Sequence, residues 1–229
     1  MSNAIAPKDL ARYIDHTLLR ADATLRDIEK LCAEAREHGF YAVCVNGSRV
    51  AEARHFLDGS DVKVATVVGF PLGAADADSK RFETEAMIDN GAQEIDVVIN
   101  IGRLKDGNDT AVLRELRDVV EAADERPVKV ILETCLLTRE EKIRACHLVS
   151  ESGAQFVKTS TGFGAAGATL DDVKLMRVVV GPKVGVKAAG GIRDTLTALA
   201  MIEAGATRLG TSSGVALVLD AGAASGGAH

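Results

Sequence analysis

Ser152-Gly153-Ala154-Gln155-Phe156-Val157-Lys158-Thr159-Ser160-Thr161-Gly162 reads as one unit of a repeating α/β fold. A glycine placed to end a helix comes first, then a short apolar strand, then a loop of small residues. The same exit turn recurs elsewhere: Asn90-Gly91-Ala92-Gln93 leads into Glu94-Ile95-Asp96-Val97-Val98-Ile99-Asn100, and Ala204-Gly205-Ala206-Thr207 leads into Arg208-Leu209-Gly210-Thr211. Reuse of one turn implies strands and helices wound in series onto a parallel sheet.

Outward from these three units, apolar β-branched runs predict strands at Tyr13 to Thr17, Tyr41 to Asn46, Val62 to Val68, Glu94 to Asn100, Val128 to Thr134, Ala154 to Thr159, Lys183 to Ala188 and Thr207 to Thr211. Between them, Thr24 with Asp27, Thr138 with Glu141 and Thr169 with Asp172 each read as a capping box, and Gly39, Gly91, Gly153 and Gly205 sit where helices end. Eight strand–helix units in about 220 residues favour a TIM (β/α)8 barrel in one domain, residues 1–219, over a doubly wound open sheet. An open sheet would place a phosphate loop near the N-terminus, and neither Gly-x-Gly-x-x-Gly nor Gly-x-x-x-x-Gly-Lys-Ser/Thr occurs there. Asp220 to His229 are rich in Gly, Ala and Ser and read as a disordered tail.

With 229 residues, 47% of them hydrophobic, the chain can bury one large core. A net charge of −6 and 3% aromatic residues argue against a nucleic-acid binder, which needs a basic face or stacking platforms. Small molecules are the expected partners. Cys32, Cys44, Cys135 and Cys146 show neither a Cys-x-x-Cys pair nor histidines at zinc-like spacing, so no metal site or disulfide framework is indicated and a reducing cytoplasm fits. Met1 to Asp9 lack the pattern of a signal peptide, and no apolar stretch approaches the roughly 18 residues of a membrane span.

The chemistry centres on two lysines. Lys158 and Lys187 each close an apolar strand just before a small-residue loop, the place where barrels put reacting groups. Either one alone reads equally well as a rim side chain with its head in water. Two, each beside a Gly-rich loop, favour Schiff-base chemistry: both cannot comfortably hold a full charge side by side, so one becomes a free amine and the other stays cationic. Alternation places Asp96 on the strand face opposite Ile95, Val97 and Ile99, where it pairs with a cation or joins the lysines at the barrel mouth. Gly190-Gly191-Ile192-Arg193 and Gly210-Thr211-Ser212-Ser213-Gly214 follow the last two strands, where barrels build phosphate sites from backbone N–H groups, although each loop alone is explained by turn chemistry. His16 reads as a structural histidine, His38, His55 and His147 as surface or helix positions, Cys44 as a buried small hydrophobe or a pocket-lining thiol, and Lys80 and Arg81 as a solvated helix face.

The chain resembles the deoxyribose-phosphate aldolase family, class I lyases that need no metal. The resemblance rests on Ile14-Asp15-His16-Thr17-Leu18-Leu19, Val67-Val68-Gly69-Phe70-Pro71-Leu72-Gly73, Glu94-Ile95-Asp96-Val97-Val98 and Lys129-Val130-Ile131-Leu132-Glu133-Thr134. It continues through Phe156-Val157-Lys158-Thr159-Ser160-Thr161-Gly162-Phe163 and Val186-Lys187-Ala188-Ala189-Gly190-Gly191-Ile192-Arg193 to Arg208-Leu209-Gly210-Thr211-Ser212-Ser213. It implies a TIM barrel without a cofactor, acting on phosphosugar and aldehyde substrates. Lys158 would form the imine, Lys187 would lower its pKa, and Asp96 would act with water as acid and base. By the same resemblance, Thr161, Gly162, Gly190, Gly191, Ser212 and Ser213 would hold the phosphate, and Asp15 and Thr17 would orient the proton relay or substrate. Some family members end in a tyrosine that reaches the active site, whereas this chain has no tyrosine after Tyr41. Barrels of this kind commonly pair through helix faces, so a homo-oligomer is expected.

Overall fold

Short apolar runs become the staves of a barrel. The computed structural model describes residues 7–226, in which eight parallel strands close in chain order. They are β1 (Ile14–Leu18), β2 (Ala42–Val45), β3 (Lys63–Val68), β4 (Glu94–Val98), β5 (Val128–Ile131), β6 (Phe156–Lys158), β7 (Gly185–Ala189) and β8 (Arg208–Thr211). The closing pair joins β1 to β8, with Asp15 opposite Gly210. The helices are α1 (Pro7–Leu10), α2 (Leu25–His38), α3 (Val50–Phe56), α4 (Ala77–Asp89), α5 (Ile101–Lys105), α6 (Asp109–Ala122), α7 (Arg139–Ser152), α8 (Leu170–Val180), α9 (Thr195–Glu203) and α10 (Gly214–Gly226).

Alternation along the strands sorts the side chains. Val43, Val45, Ile95, Val97, Val130, Val157, Val186 and Leu209 join the helix residues Ile28, Leu31, Val112, Leu116, Val173 and Met176 in the main apolar core between barrel and helices. Inside, a small second cluster of Leu19, Cys44, Ala65 and Val67 fills one side. Much of the other side is filled by charged residues, among them Asp15, Glu94, Asp96, Lys129, Lys158, Lys187 and Arg208, all buried.

Every predicted strand is present, but several are shorter than their apolar runs. β4 stops at Val98 because the Asn100 side chain accepts from the Arg103 amide at 3.1 Å and starts α5 instead. β5 stops before Glu133, whose left-handed backbone (φ 54°) turns the chain into a 3-10 turn at Thr134–Leu136. Thr24 with Asp27 and Thr138 with Glu141 form complete capping boxes. Thr169 caps α8 by accepting from the Asp172 amide at 3.1 Å. The carboxylate of Asp172 is engaged by Lys142 at 2.6 Å, so the third expected box is only half made.

Two sequence expectations are corrected. Residues 220–226, read as tail, continue α10, and the remaining three lie outside the described residues. Lys80 is no solvated side chain: it is fully buried, donating to Glu115 Oε1 at 2.6 Å and to the Val98 carbonyl at 2.8 Å. Its partner stands 35 residues further along the chain, and nothing local in α4 announces it. Arg81 next to it is half exposed and pairs with Glu85 and Glu121.

Candidate active site

Charged residues on five strands and on β1 point into the barrel, and strand register brings them together. Across neighbouring strands Asp96 faces Lys129, Lys158 faces Lys187 and Lys187 faces Arg208. Lys158 Nζ donates to Asp96 Oδ2 at 2.8 Å, and Lys187 Nζ donates to the same oxygen at 2.8 Å. Lys187 also donates to Asp15 Oδ2 at 2.5 Å. Lys129 Nζ donates to Asp96 Oδ1 at 2.6 Å and pairs with Glu94 Oε2 at 2.8 Å. Arg208 Nη1 closes the network below, with Asp15 Oδ1 at 2.9 Å and Glu94 Oε2 at 3.0 Å. The expected trio of Asp96, Lys158 and Lys187 therefore shares one carboxylate oxygen, and Asp15 is the next link.

The electrostatics separate the two lysines. Burial pushes Lys158 down, Asp96 opposes this and Lys187 adds to it, so its pKa falls below the ordinary lysine value. Burial also works against the charge of Lys187, yet Asp15 and Asp96 together outweigh it and the pKa rises. Asp96 is disfavoured as an anion by burial, but Lys129, Lys158 and Lys187 hold it well below the usual carboxylate range. A lysine of lowered pKa thus stands beside a lysine of raised pKa and a carboxylate, with burial a larger cause of the lowering than the neighbouring lysine.

Above Lys158 a cavity of about 350 Å³ opens at the C-terminal ends of the strands. Thr17, Thr161, Gly162, Gly190, Gly191 and Ser212 line it with Lys158. Ser213 does not line it, and its amide donates to Thr211 Oγ1 at 2.9 Å. Cys44 does not reach it either: the thiol is buried in the small apolar cluster inside the barrel, and burial pushes its pKa up to about 11. Gly190 and Gly191 take φ values of 87° and 80°, which glycine adopts without strain. Gly167 packs on this turn so closely that a β-carbon there would stand 2.2 Å from the Gly190 carbonyl oxygen.

Residues 10–228 match the family model described as DeoC/LacD family aldolase. The chain belongs to this aldolase family. The aldolase is 62% identical to the deoxyribose-phosphate aldolase of Alkaliphilus oremlandii, over 93% of this chain and 96% of that one. It is 60% identical to the enzyme of that name from Thermococcus gammatolerans, over 92% and 95%. Among solved structures, the tetrameric deoxyribose phosphate aldolase from Aeropyrum pernix superposes with a TM-score of 0.88 at 34% identity, covering 94% of this chain and 92% of that one.

Several residues of the aldolase's site escaped sequence reasoning. Lys129, Glu94 and Arg208 complete the buried network, and a usable signal existed for each: a charge at an inward position of an otherwise apolar strand, Glu94 sharing its face with Asp96. Glu133 is buried at the end of β5 and accepts hydrogen bonds from the Thr161 hydroxyl and, at 3.4 Å, its amide. It thereby braces the loop after Lys158, which no local pattern shows. Arg20, Arg193 and Phe163 complete the cavity wall, Phe163 resting edge-on against Phe70 at 5.3 Å.

Proposed function

We propose that this aldolase reversibly cleaves 2-deoxy-D-ribose 5-phosphate to D-glyceraldehyde 3-phosphate and acetaldehyde through an imine on Lys158. One observation carries the reading: a buried lysine with a lowered pKa, 2.8 Å from a carboxylate, at the floor of a cleft rimmed by glycine and serine loops. The names of the relatives at about 60% identity support the choice of substrate.

In this mechanism the free amine of Lys158 adds to the open-chain aldehyde carbon, C1, and loss of water leaves a protonated imine. Removal of the C3 hydroxyl proton makes C3 a carbonyl, and the C2–C3 bonding pair flows into the imine to give an enamine. Asp96, acting with water, takes that proton, while Lys187, held protonated by Asp15 and Asp96, is placed to return one to C2 of the enamine. Hydrolysis then frees acetaldehyde and restores the amine. Gly162, Gly190, Gly191 and Ser212 receive the phosphate with backbone and hydroxyl donors, Thr161 lines the cleft beside them with its own donors held by Glu133, and Arg20 and Arg193 add positive charge. Thr17 braces Asp15, donating to its backbone carbonyl at 2.8 Å. Cys44 is assigned no substrate contact.

The reading extends to a homo-oligomer, by analogy with the tetrameric Aeropyrum pernix protein. It extends to a cytoplasmic location, where cysteines stay reduced; the four here are free thiols. No helix among the described residues is long and apolar enough to cross a membrane.

Borohydride reduction in the presence of acetaldehyde, followed by peptide mass spectrometry, tests the core of the proposal. A reduced two-carbon adduct is expected on Lys158 and none on a Lys158→Leu variant. Binding of a sugar phosphate without any adduct would instead make the barrel a binding protein with a silent lysine.

A further inference from the structure

Inside the barrel Lys129, Lys158, Lys187 and Arg208 face Asp15, Glu94 and Asp96, and all seven are buried. Cations outnumber carboxylates by one. A net charge in a buried cluster is costly, and the cheapest relief is loss of one proton from one lysine. Contacts decide which. Arg208 keeps its proton at any relevant pH. Lys129 pairs closely with Asp96 and Glu94 and stands 3.9 Å from Asp15. Lys187 pairs with Asp15 and Asp96, whereas Lys158 has Asp96 alone. Lys158 is the cation with least to lose.

Resting on the imine reading above, we propose that Arg208 and Glu94, which lie beneath the reacting centre, are positioning residues that set through this charge count how readily Lys158 becomes the free amine. Arg208 is built to supply charge without cancelling it. Its guanidinium lies 3.5 Å from the centroid of the Tyr41 ring and 5.2 Å from that of Phe156, so ring faces provide attraction where a fourth carboxylate would have neutralised the excess. Gly185 makes room for this packing, since a β-carbon there would fall 2.3 Å from the Phe156 ring. The groups facing Lys158 are Asp96 on β4, Lys187 on β7 and the Cys44 thiol on β2, with Lys129 on β5 acting across Asp96. Those facing Arg208 are Asp15 on β1, Glu94 on β4, Lys129 on β5 and Lys187, its register partner on β7, together with the two rings.

The count makes opposite predictions for two substitutions. Arg208→Met leaves three cations and three carboxylates, so Lys158 holds its proton to higher pH. Glu94→Gln leaves four cations and two carboxylates, so Lys158 loses it at lower pH. The experiment is the pH dependence of acetaldehyde adduct formation at Lys158, read by borohydride trapping and mass spectrometry. The acid limb is expected to move up by about one unit in Arg208→Met and down by about one unit in Glu94→Gln, and to stay in place in Arg208→Lys. Damage to packing alone would lower the yield in all three without moving the limbs in opposite directions. Limbs that coincide with the parent, shifts of one sign in both variants, or a shift in Arg208→Lys as large as in Arg208→Met overturn the inference. If Arg208→Met does not fold, Glu94→Gln decides alone: a downward shift supports it and any other result overturns it. Absence of an adduct in the parent at every pH is a separate outcome that removes the imine reading itself.

Discussion

Asp96 is the residue on which the chemistry converges. One of its oxygens accepts from both Lys158 and Lys187 and the other from Lys129, so its charge both anchors the lysines and offers a route for a proton. Asparagine would keep the shape and remove that charge. Lys158 would then lose an attractive partner, its amine would become freer, and imine formation would persist while proton transfer failed. For Asp96→Asn we expect kcat to fall by about 10²–10⁴-fold, with the acetaldehyde adduct on Lys158 still trapped by borohydride. Steady-state cleavage within a few-fold of the parent would take Asp96 off the proton path. Asp96 was readable because alternation sets its charge on the face opposite its apolar neighbours, and the two lysines because both close apolar strands just before small-residue loops, although either alone reads equally well as a rim side chain. Lys129, Glu94 and Arg208 are also charges within apolar strands, but their meaning depends on partners contributed by other strands.

Helices and strands were legible where local physics sets them. Threonine caps, terminal glycines and period-two apolar runs located all eight strands, and misjudged mainly where a polar residue such as Asn100 left the sheet to cap a helix. Lys80 shows the limit. A lysine in a charged stretch of helix looks solvated, yet here it ties α4 to α6 and to the end of β4, the strand that carries Asp96. Burial presses both partners toward neutrality, lowering Lys80 and raising Glu115, while each opposes the shift of the other. Lys80→Met leaves Glu115 buried without its cation and should cost about 3–5 kcal/mol in denaturant unfolding. Lys80→Met with Glu115→Leu removes both charges and should recover most of that loss. A double variant as unstable as the single one would show that packing around Gly69, against which the Lys80 stem lies, matters more than the pair.

The barrel as a whole depends on its buried carboxylates staying ionised. Asp15 is opposed by burial but held by Lys187, Arg208 and Lys129, which bring it down from 3.8 to about 2, and Asp96 is also depressed. A carboxylate whose folded pKa lies below its unfolded value contributes stability that is complete above the unfolded value and lost as pH falls through the folded one. The melting temperature followed by far-UV circular dichroism should therefore drop steeply between about pH 4 and pH 2, as the unfolded chain takes up protons that the barrel resists. A flat profile across that interval would mean the network contributes little to holding the barrel closed. The succession of strands and helices, the place of Lys158 and Lys187 at strand ends and the face taken by Asp96 follow from periodicity and turn chemistry, which act between residues close along the chain. The sharing of one Asp96 oxygen by two lysines, the tier of Glu94 and Arg208 below them, and the burial of Lys80 follow from closure. Their partners lie 18 to 193 residues apart, and only the register of a closed sheet brings such charges within hydrogen-bonding distance while excluding the water that would otherwise screen them.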